Sequence, residues 1–364
     1  MSPTGPDLSY PQEDLRAFTE GVFQAAGVPP EDAALTADNL IQANLRGTDS
    51  HGIARLLVPY ARRLRNGQML PKTEGAVLRE RPSTALLDGQ NGIGQVVAAR
   101  AMRLAMEKAE RTGAAWVGVC RSNHFGAAGY FAQMALERDM VGIVSTNGPA
   151  AVAPFGGRRP MLSTNPLAFA IPAGEEPPVV LDMATTVVSR GRITLFAGQN
   201  LEIPSTWALD EDGNPTPNPH AALRGTLQPM AGYKGYGLSL VLDMLCGVLT
   251  GASYGMHFSG FLTDYHQPPA DVGSLFAAVS VDSFMDAPQF KARVDTALRE
   301  LKESPRAPGV DRIYAPGEIE HETRLRRLEE GVPLPQEAVE ELRALGEECG
   351  VPFPNPSQDR SACL

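Results

Sequence analysis

The sequence predicts an α/β protein: a central domain of alternating strands and helices, set between an N-terminal and a C-terminal helical segment. Three observations carry this. Short apolar and β-branched runs alternate with 3.6-period helical patterns from Thr84 to Val281, the pattern of strand–helix units. Before Lys72, and again from Pro288, helical periodicity dominates. With 364 residues, 43% of them hydrophobic, the chain is long enough for about two domains with a substantial core. The expected division is 1–72, 73–285 and 286–364, with the two outer segments packing together.

In chain order, Leu15, Phe18 and Val22 define one face of a first helix that stops near Gly27. A second opens at Pro30-Glu31, proline suiting the first helical position, and runs through Leu40, Ile41 and Leu45. A third follows Ser50-His51, with Ile53, Leu56, Leu57, Tyr60 and Leu64 inward and Gly67 as its stop. Thr84–Asp88 reads as a strand, followed by a glycine turn and a helix over 94–110. Ala115–Cys120 is a second strand, Phe125–Glu137 a helix and Val141–Thr146 a third strand. Leu167–Ile171 and Val179–Asp182 add two more strands, and a helix is expected from about Thr186. Asp210-Glu-Asp-Gly213-Asn is a turn: Pro215, Pro217 and the lack of a closing Glu argue against a calcium loop. Lys234–Leu249 reads as a buried helix and Leu275–Val281 as a strand. Helical patterns then return, broken by the segment from Arg312 to Glu318. The proline-rich tail beyond Val351 is expected to be ordered only by contact with something else.

Composition narrows the function. A formal net charge of −10 argues against duplex binding, which needs clustered Lys and Arg on one face. It leaves room for an anionic small molecule, because one buried Arg acts locally against the global sign. Cys120, Cys246, Cys349 and Cys363 lack metal-finger or CxxC spacing, and Cys120 and Cys246 read as packed thiols. A reducing cytoplasm fits best. The residues around Pro3 and Asp7 show no signal-peptide pattern, and Gly237–Val248 contains Asp243 and is too short for a bilayer. Cys363, one residue from the end, does not match a prenylation box.

Several clusters carry chemistry. Asp49-Ser50-His51-Gly52-Ile53-Ala54-Arg55 places a hydroxyl, an imidazole and a guanidinium at an expected helix start. Spaced by four, His51 and Arg55 would share a helix face, with Arg55 gripping a planar carboxylate while His51 handles a proton. The alternative is an ordinary helix cap and a solvated first turn. Gly92-Ile-Gly94 lies between strand and helix but lacks the third glycine of a dinucleotide fingerprint, where Val97 stands, and the next strand lacks the ribose-binding acid. No Walker loop, H-E-x-x-H or G-x-S-x-G motif is present. Ser122-Asn123-His124-Phe125-Gly126 follows a strand and opens a helix, so His124 is a second proton-transfer candidate, or a cap. Asp182-Met183-Ala184-Thr185-Thr186 ends a strand, and Asp182 there either binds ribose hydroxyls or caps the next helix. Gly232-Tyr233-Lys234-Gly235 crowds glycines about a Lys, permitting close approach of a ligand and a less solvated Lys234. A structural turn with an exposed Lys is the competing reading. Arg158 and Arg159 are candidates for a phosphate contact or plain surface charge.

Taken in order, Arg46-Gly-Thr-Asp-Ser-His-Gly52, Ser122-Asn-His-Phe-Gly126, Ser163-Thr-Asn-Pro-Leu167, Asp182-Met-Ala-Thr185, Gly232-Tyr-Lys-Gly235 and Pro316-Gly-Glu318 resemble the malate/L-lactate dehydrogenase family of NAD(P)-dependent oxidoreductases. That family also includes sulfolactate and ureidoglycolate dehydrogenases and some keto-acid and ketimine reductases. The resemblance covers all but the two tails. It implies a non-Rossmann, mixed-sheet central domain that binds NAD or NADP, and a homodimer whose active site lies between that domain and the helical segment. It implies a cofactor held by Asp182, Met183, Ala184, Thr185 and Thr186, by Tyr233 and Lys234, and by Pro316, Gly317 and Glu318. Within the family, both the position matching His51 and that matching His124 carry the proton-transfer assignment.

The expected reaction is reversible hydride transfer between nicotinamide and C2 of a small 2-hydroxy or 2-oxo acid such as malate, lactate or sulfolactate. His124 is the first choice for the acid/base, because a helix start favours a neutral imidazole, and His51 the second. Arg55 and Ser50 would hold the substrate, and Lys234 would face the cofactor or the developing oxyanion. No metal is expected. The rival readings are a reductase of cyclic imines or 2-oxo sugar acids on the same scaffold, and a non-catalytic nucleotide-binding protein.

Overall fold

The computed structural model describes residues 8–258 and 268–357. Pro3, Asp7 and Cys363, used above to judge leader and lipidation signals, lie outside the described residues. The N-terminal segment comprises β1 (Leu8–Tyr10), α1 (Gln12–Ala25), α2 (Pro30–Leu45), a 3₁₀ turn (Asp49–His51) and α3 (Ile53–Arg65). The central part holds β2 (Ala76–Arg81), β3 (Thr84–Asp88), α4 (Gly94–Thr112), β4 (Ala114–Ser122), α5 (Ala128–Met134), β5 (Met140–Thr146), β6 (Leu167–Ile171) and β7 (Val179–Met183). It continues through α6 (Arg190–Gly198), β8 (Ala208–Leu209), α7 (Pro219–Arg224), β9 (Thr226–Leu227), α8 (Tyr233–Asp243) and β10 (Val272–Ser280). Last come α9 (Ala287–Glu303), α10 (Glu318–Glu330), β11 (Val332–Leu334) and α11 (Gln336–Cys349).

The main sheet has seven strands in the order β2-β3-β4-β10-β5-β6-β7. Only β3 and β4 are parallel, joined over the sheet by α4; every other pair is antiparallel. The sheet is therefore mixed, and the late strand β10 sits at its centre. This differs from a doubly wound parallel sheet, which would place a dinucleotide at a strand-order switch point. Phe125, Phe131 and Phe276 pack with Val117, Met102 and Met106 under one face of the sheet. A second core joins Phe18, Leu40, Ile41 and Leu57 to Leu334 and Leu342, so N- and C-terminal helices share one interior. Strand β1 pairs antiparallel with β11, closing that unit. Helix α9 docks elsewhere: the Asp295 carboxylate accepts the backbone N–H groups of Gly174, Glu175 and Glu176 in the loop between β6 and β7.

Several local expectations are corrected. Helix α5 starts at Ala128 rather than Phe125, because the chain passes through a left-handed Gly126 (φ +78°) first. Asp182, from the edge strand β7, then accepts the Gly129 N–H at 2.7 Å and serves the first turn of α5, not a helix of its own. Helix α6 starts at Arg190, where the Ser189 hydroxyl caps the Arg192 N–H; it does not start at Thr186. Helix α8 ends in a π-turn over Met244–Val248. Residues 351–357 are ordered by the chain's own N-terminus: Phe353 packs edge-on against Tyr10 and Phe18, and the Ser357 N–H donates to Ser9. Cys120 and Cys246 are buried and unpaired, as packed thiols. Asp210 closes the Asp210–Asn214 turn by accepting the Asp212 and Asn214 N–H groups.

Candidate active site

The Ser50-His51 turn is held from both ends of the chain. Asn44, near the end of α2, accepts the Ile53 N–H at 2.9 Å and donates to the Asp49 carboxylate at 2.7 Å. Arg327 of α10 grips both Asp49 oxygens, at 2.7 and 3.0 Å. Neither Asp49 nor Ser50 caps α3; Asn44 does so from another helix. His51 consequently lies in the 3₁₀ turn, and Gly52 is extended before α3 begins. The inference that His51 and Arg55 share a helix face through their spacing is corrected accordingly. They are nevertheless electrostatic neighbours. Burial, and then the Arg55 guanidinium, hold the His51 imidazole down to about 4. The Ser50 hydroxyl lies 3.0 Å from His51 Nδ1.

His124 comes to the same place from the loop after β4. Its ring stacks on His51, with centroids 5.7 Å apart and planes 18° from parallel. Gly94 makes this approach possible: a Cβ there would fall 2.3 Å from the His124 carbonyl oxygen and 2.5 Å from that of Asn123. The G-x-G turn therefore serves close packing of α4 on the histidine loop. On the inner side, the Tyr60 hydroxyl of α3 lies 2.5 Å from His124 Nδ1, and the Gly126 N–H donates to the same nitrogen at 3.3 Å. His124 is held down to about 3 by burial, then by His51 and Arg55. Its neutrality thus arises from enclosure first and from the Arg55 charge beside it, because the expected helix N-terminus begins four residues later. Arg55 is exposed, and a Cβ on Gly191, in the first turn of α6, would lie within 3.7–4.0 Å of its guanidinium. No carboxylate pairs with Arg55 among the described residues, so a planar anion can dock there.

A cavity of about 600 Å³ opens beside His51, with Arg46, Gly126, Gly129, Asp182 and Met183 also among its walls; His124 and Arg55 lie behind and beside His51 and are not among the lining residues. That volume suits a small-molecule or cofactor site, typically about 300–1,000 Å³. Ala184 also lines it. Asp182 reaches solvent through the cavity, yet protein encloses it and pushes its carboxyl up, against the lowering effect of the Gly129 N–H and Arg46. One of its oxygens takes the Gly129 N–H, and no described hydrogen bond occupies the other. An acceptor facing a roomy cavity fits a ribose diol, and the backbone around Gly126–Gly129 allows close approach of a dinucleotide. The residues present fit NAD or NADP.

The remaining candidates are placed less directly. Thr185 and Thr186 are buried, their hydroxyls donating to the carbonyls of Thr164 and Val188. Pro316 accepts the Val180 N–H of edge strand β7 at 3.0 Å, and Gly317 passes over the same residue. The Glu318 carboxylate is taken up by the Ala315 N–H, Arg312 and Lys302. Tyr233 and Lys234 are exposed in the first turn of α8 and do not line the cavity, which corrects the expectation of a less solvated Lys234. The loop before them does run beside Thr185–Val187, through hydrogen bonds from Met230 to Thr185 and from Val187 to Gln228. Arg158 is exposed on the surface, 3.9 Å from Asp212. Tyr60 and Arg46 were not among the expected site residues. Tyr60 reads as one more apolar position of α3, yet a buried tyrosine needs a partner for its hydroxyl, and that was the available signal.

Among the described residues, no helix is long and apolar enough to cross a membrane, and no three His, Cys, Asp or Glu converge as a metal site. Residues 10–343 match the family model for malate/L-lactate dehydrogenase. The chain is 39% identical over 352 residues to a malate dehydrogenase of Pyrococcus abyssi, spanning 94% of this chain and 96% of that one. It is 40% identical over 339 residues to an L-sulfolactate dehydrogenase of Methanocaldococcus jannaschii, spanning 93% and 96%. The solved structure of the sulfolactate dehydrogenase from that organism superposes with a TM-score of 0.89 at 38% identity, covering 95% of this chain and 98% of that chain. More distant relatives are named for either nicotinamide cofactor: a ureidoglycolate dehydrogenase (NAD(+)) of Escherichia coli strain K12, 35% identical over 90% of this chain and 93% of its own, and a (2R)-3-sulfolactate dehydrogenase (NADP(+)) of Chromohalobacter salexigens, 33% identical over 91% and 96%. Motif order, mixed-sheet fold and whole-chain similarity agree, and the chain belongs to the malate/L-lactate dehydrogenase family.

Proposed function

We propose that this enzyme is an NAD(P)-dependent dehydrogenase that reversibly oxidises a small 2-hydroxy acid to the 2-oxo acid. The observation that carries this reading is the stacked His51–His124 pair with Arg55 as its electrostatic neighbour, His51 itself lining the cavity that Asp182, Met183 and Ala184 also wall. When bound, the nicotinamide C4 supplies the hydride acceptor or donor. Arg55 holds the substrate carboxylate through two parallel hydrogen bonds, with Ser50 adding a third. This sets the C2 hydroxyl against the histidines. In oxidation the C2–H bond leaves as hydride and the hydroxyl proton passes to an imidazole; reduction reverses both. Asp182 holds ribose hydroxyls, with Met183 and Ala184 against the cofactor. Thr185, Thr186 and Pro316–Glu318 keep the cavity wall in place. Lys234, outside the lining of this cavity, reaches the cofactor from a loop that runs beside Thr185–Val187.

The proposal includes a homodimer, a cytoplasmic location consistent with unpaired cysteines, and a division at 72/73 and 285/286. The test is a panel of malate, lactate, sulfolactate and a cyclic imine with NAD and with NADP, followed at the nicotinamide absorbance. Turnover of a 2-hydroxy acid is expected. Turnover of the imine alone would move the assignment to the imine reductases, and failure to bind either cofactor would end the dehydrogenase reading.

A further inference from the structure

We infer that Tyr60 is a positioning residue which, with the Gly126 N–H, fixes His124 as the neutral tautomer protonated on Nε2, so that His124 donates a hydrogen bond to the substrate oxygen and His51 carries the proton. The inference rests on the dehydrogenase reading and divides the labour within that site.

Two partners converge on one ring nitrogen. The Gly126 N–H can only donate, and it donates to His124 Nδ1 at 3.3 Å. That nitrogen therefore presents its lone pair, and the Tyr60 hydroxyl, 2.5 Å away, must donate to it as well. A neutral imidazole has one N–H, which then belongs to Nε2. A ring in this state gives a hydrogen bond to a carbonyl or alkoxide oxygen but has no lone pair left to accept a hydroxyl proton. Protonating Nδ1 would oppose the Gly126 N–H, and burial beside His51 and Arg55 disfavours the cation further. His51 stands differently: the only described hydrogen-bond contact of its ring is the rotatable Ser50 hydroxyl at Nδ1, which can donate or accept. Either tautomer of His51 is open, as a group that alternates between base and acid requires, and it lines the cavity.

The Tyr60 hydroxyl is itself specifically placed. Burial pushes its ionisation well above the ordinary phenol value, so it stays a donor at every working pH. Its ring is buried in the helical core with Leu56 and Leu57, so removing only the oxygen leaves the packing in place.

The direct test is ¹⁵N NMR of the whole protein labelled at histidine, with the His124 resonances assigned by their loss in His124→Asn. At neutral pH, Nδ1 is expected to be unprotonated and Nε2 protonated; a proton on Nδ1 would overturn the inference whatever the activity. The second test is Tyr60→Phe. Loss of one outer hydrogen-bond partner is expected to lower kcat roughly 10–100-fold, as for other orienting partners, with the substrate KM little changed. Among the described residues, the titratable and charged groups facing His124 are His51, Arg55 and Tyr60, so losing the donor should also raise the His124 pKa, read in the pH titration of its ¹⁵N resonances. An unchanged kcat and His124 titration in a folded Tyr60→Phe enzyme would contradict the assignment. Absence of dehydrogenase activity in the wild type would refute the proposed reaction while leaving the NMR result to stand alone.

Discussion

The pH dependence of the oxidation reaction reads the histidine pair directly. His51 is held from an ordinary value near 6.5 down to about 4. That gap corresponds to roughly 3 kcal/mol of preference for the neutral ring. Burial is the larger cause and the Arg55 guanidinium the smaller. The free enzyme should therefore keep an unprotonated base, and constant kcat/KM for oxidation, well below pH 6, with its acid limb near 4. Arg55→Gln removes the charge but not the enclosure, so the limb should rise while remaining below 6.5. The assay is kcat/KM against pH from about 3.5 to 8. It is corrected for titration of the substrate's own carboxyl groups, and enzyme returned to neutral pH provides the control for loss of fold. A wild-type limb near 6.5, or a limb unmoved in Arg55→Gln, would refute the electrostatic account of the site.

Three further outcomes follow from the structure. Arg55→Gln should raise the substrate KM by roughly 10–100-fold, equivalent to about 1.4–2.8 kcal/mol, with a smaller fall in kcat, because the carboxylate contact is made in ground and transition states alike. Initial-rate kinetics with the substrate identified by the panel checks this, and a pure kcat loss would contradict it. Gly317→Ala forces a side chain into φ +88°, costing about 1–2 kcal/mol, and sets its Cβ 2.8 Å from Val180, so the urea midpoint should fall and cofactor affinity weaken. An unchanged midpoint would show that α10 does not depend on this crossing. Stability should also respond to acid with a definite sign. Below about 6.5 the unfolded histidines bind protons that folded His51 and His124 resist, so stability falls as pH drops through that value toward about 4 and about 3. In urea titrations, the stability difference between wild type and His124→Asn should change only below about pH 6.5, with the variant showing the shallower slope; a difference that stays constant with pH would contradict it.

Much of the fold was legible because its elements obey simple periodicity. Helices α1, α2 and α4 present clean apolar faces, and β3, β4, β5 and β6 are short β-branched or apolar runs within a buried sheet. Strand β2 was missed because Ala-Val-Leu-Arg-Glu-Arg lies at an exposed sheet edge and carries no buried alternation. Strands β1 and β11 are three residues each, and β11 contains Pro333; only their long-range pairing makes them strands. In the site, the motifs single out His51, Arg55 and His124, which the structure brings together, and Asp182, which lines the cavity beside His51. Their local settings were misjudged because tertiary contacts set them. Asn44 and Arg327 hold the His51 turn, and Asp182 serves α5 across the edge of the sheet. Tyr60 was recognised as a core residue, but its hydroxyl reaches a histidine 64 positions away, a relation that no local spacing encodes.

A crystal structure of the enzyme with NAD or NADP and a non-reactive 2-oxo acid analogue such as oxamate tests the arrangement most directly. The expected complex has the analogue's carboxylate paired with Arg55, its C2 oxygen within hydrogen-bond reach of both His51 and His124, and the nicotinamide stacked over C2. An analogue seated away from Arg55, or histidines turned from its oxygen, would contradict the account.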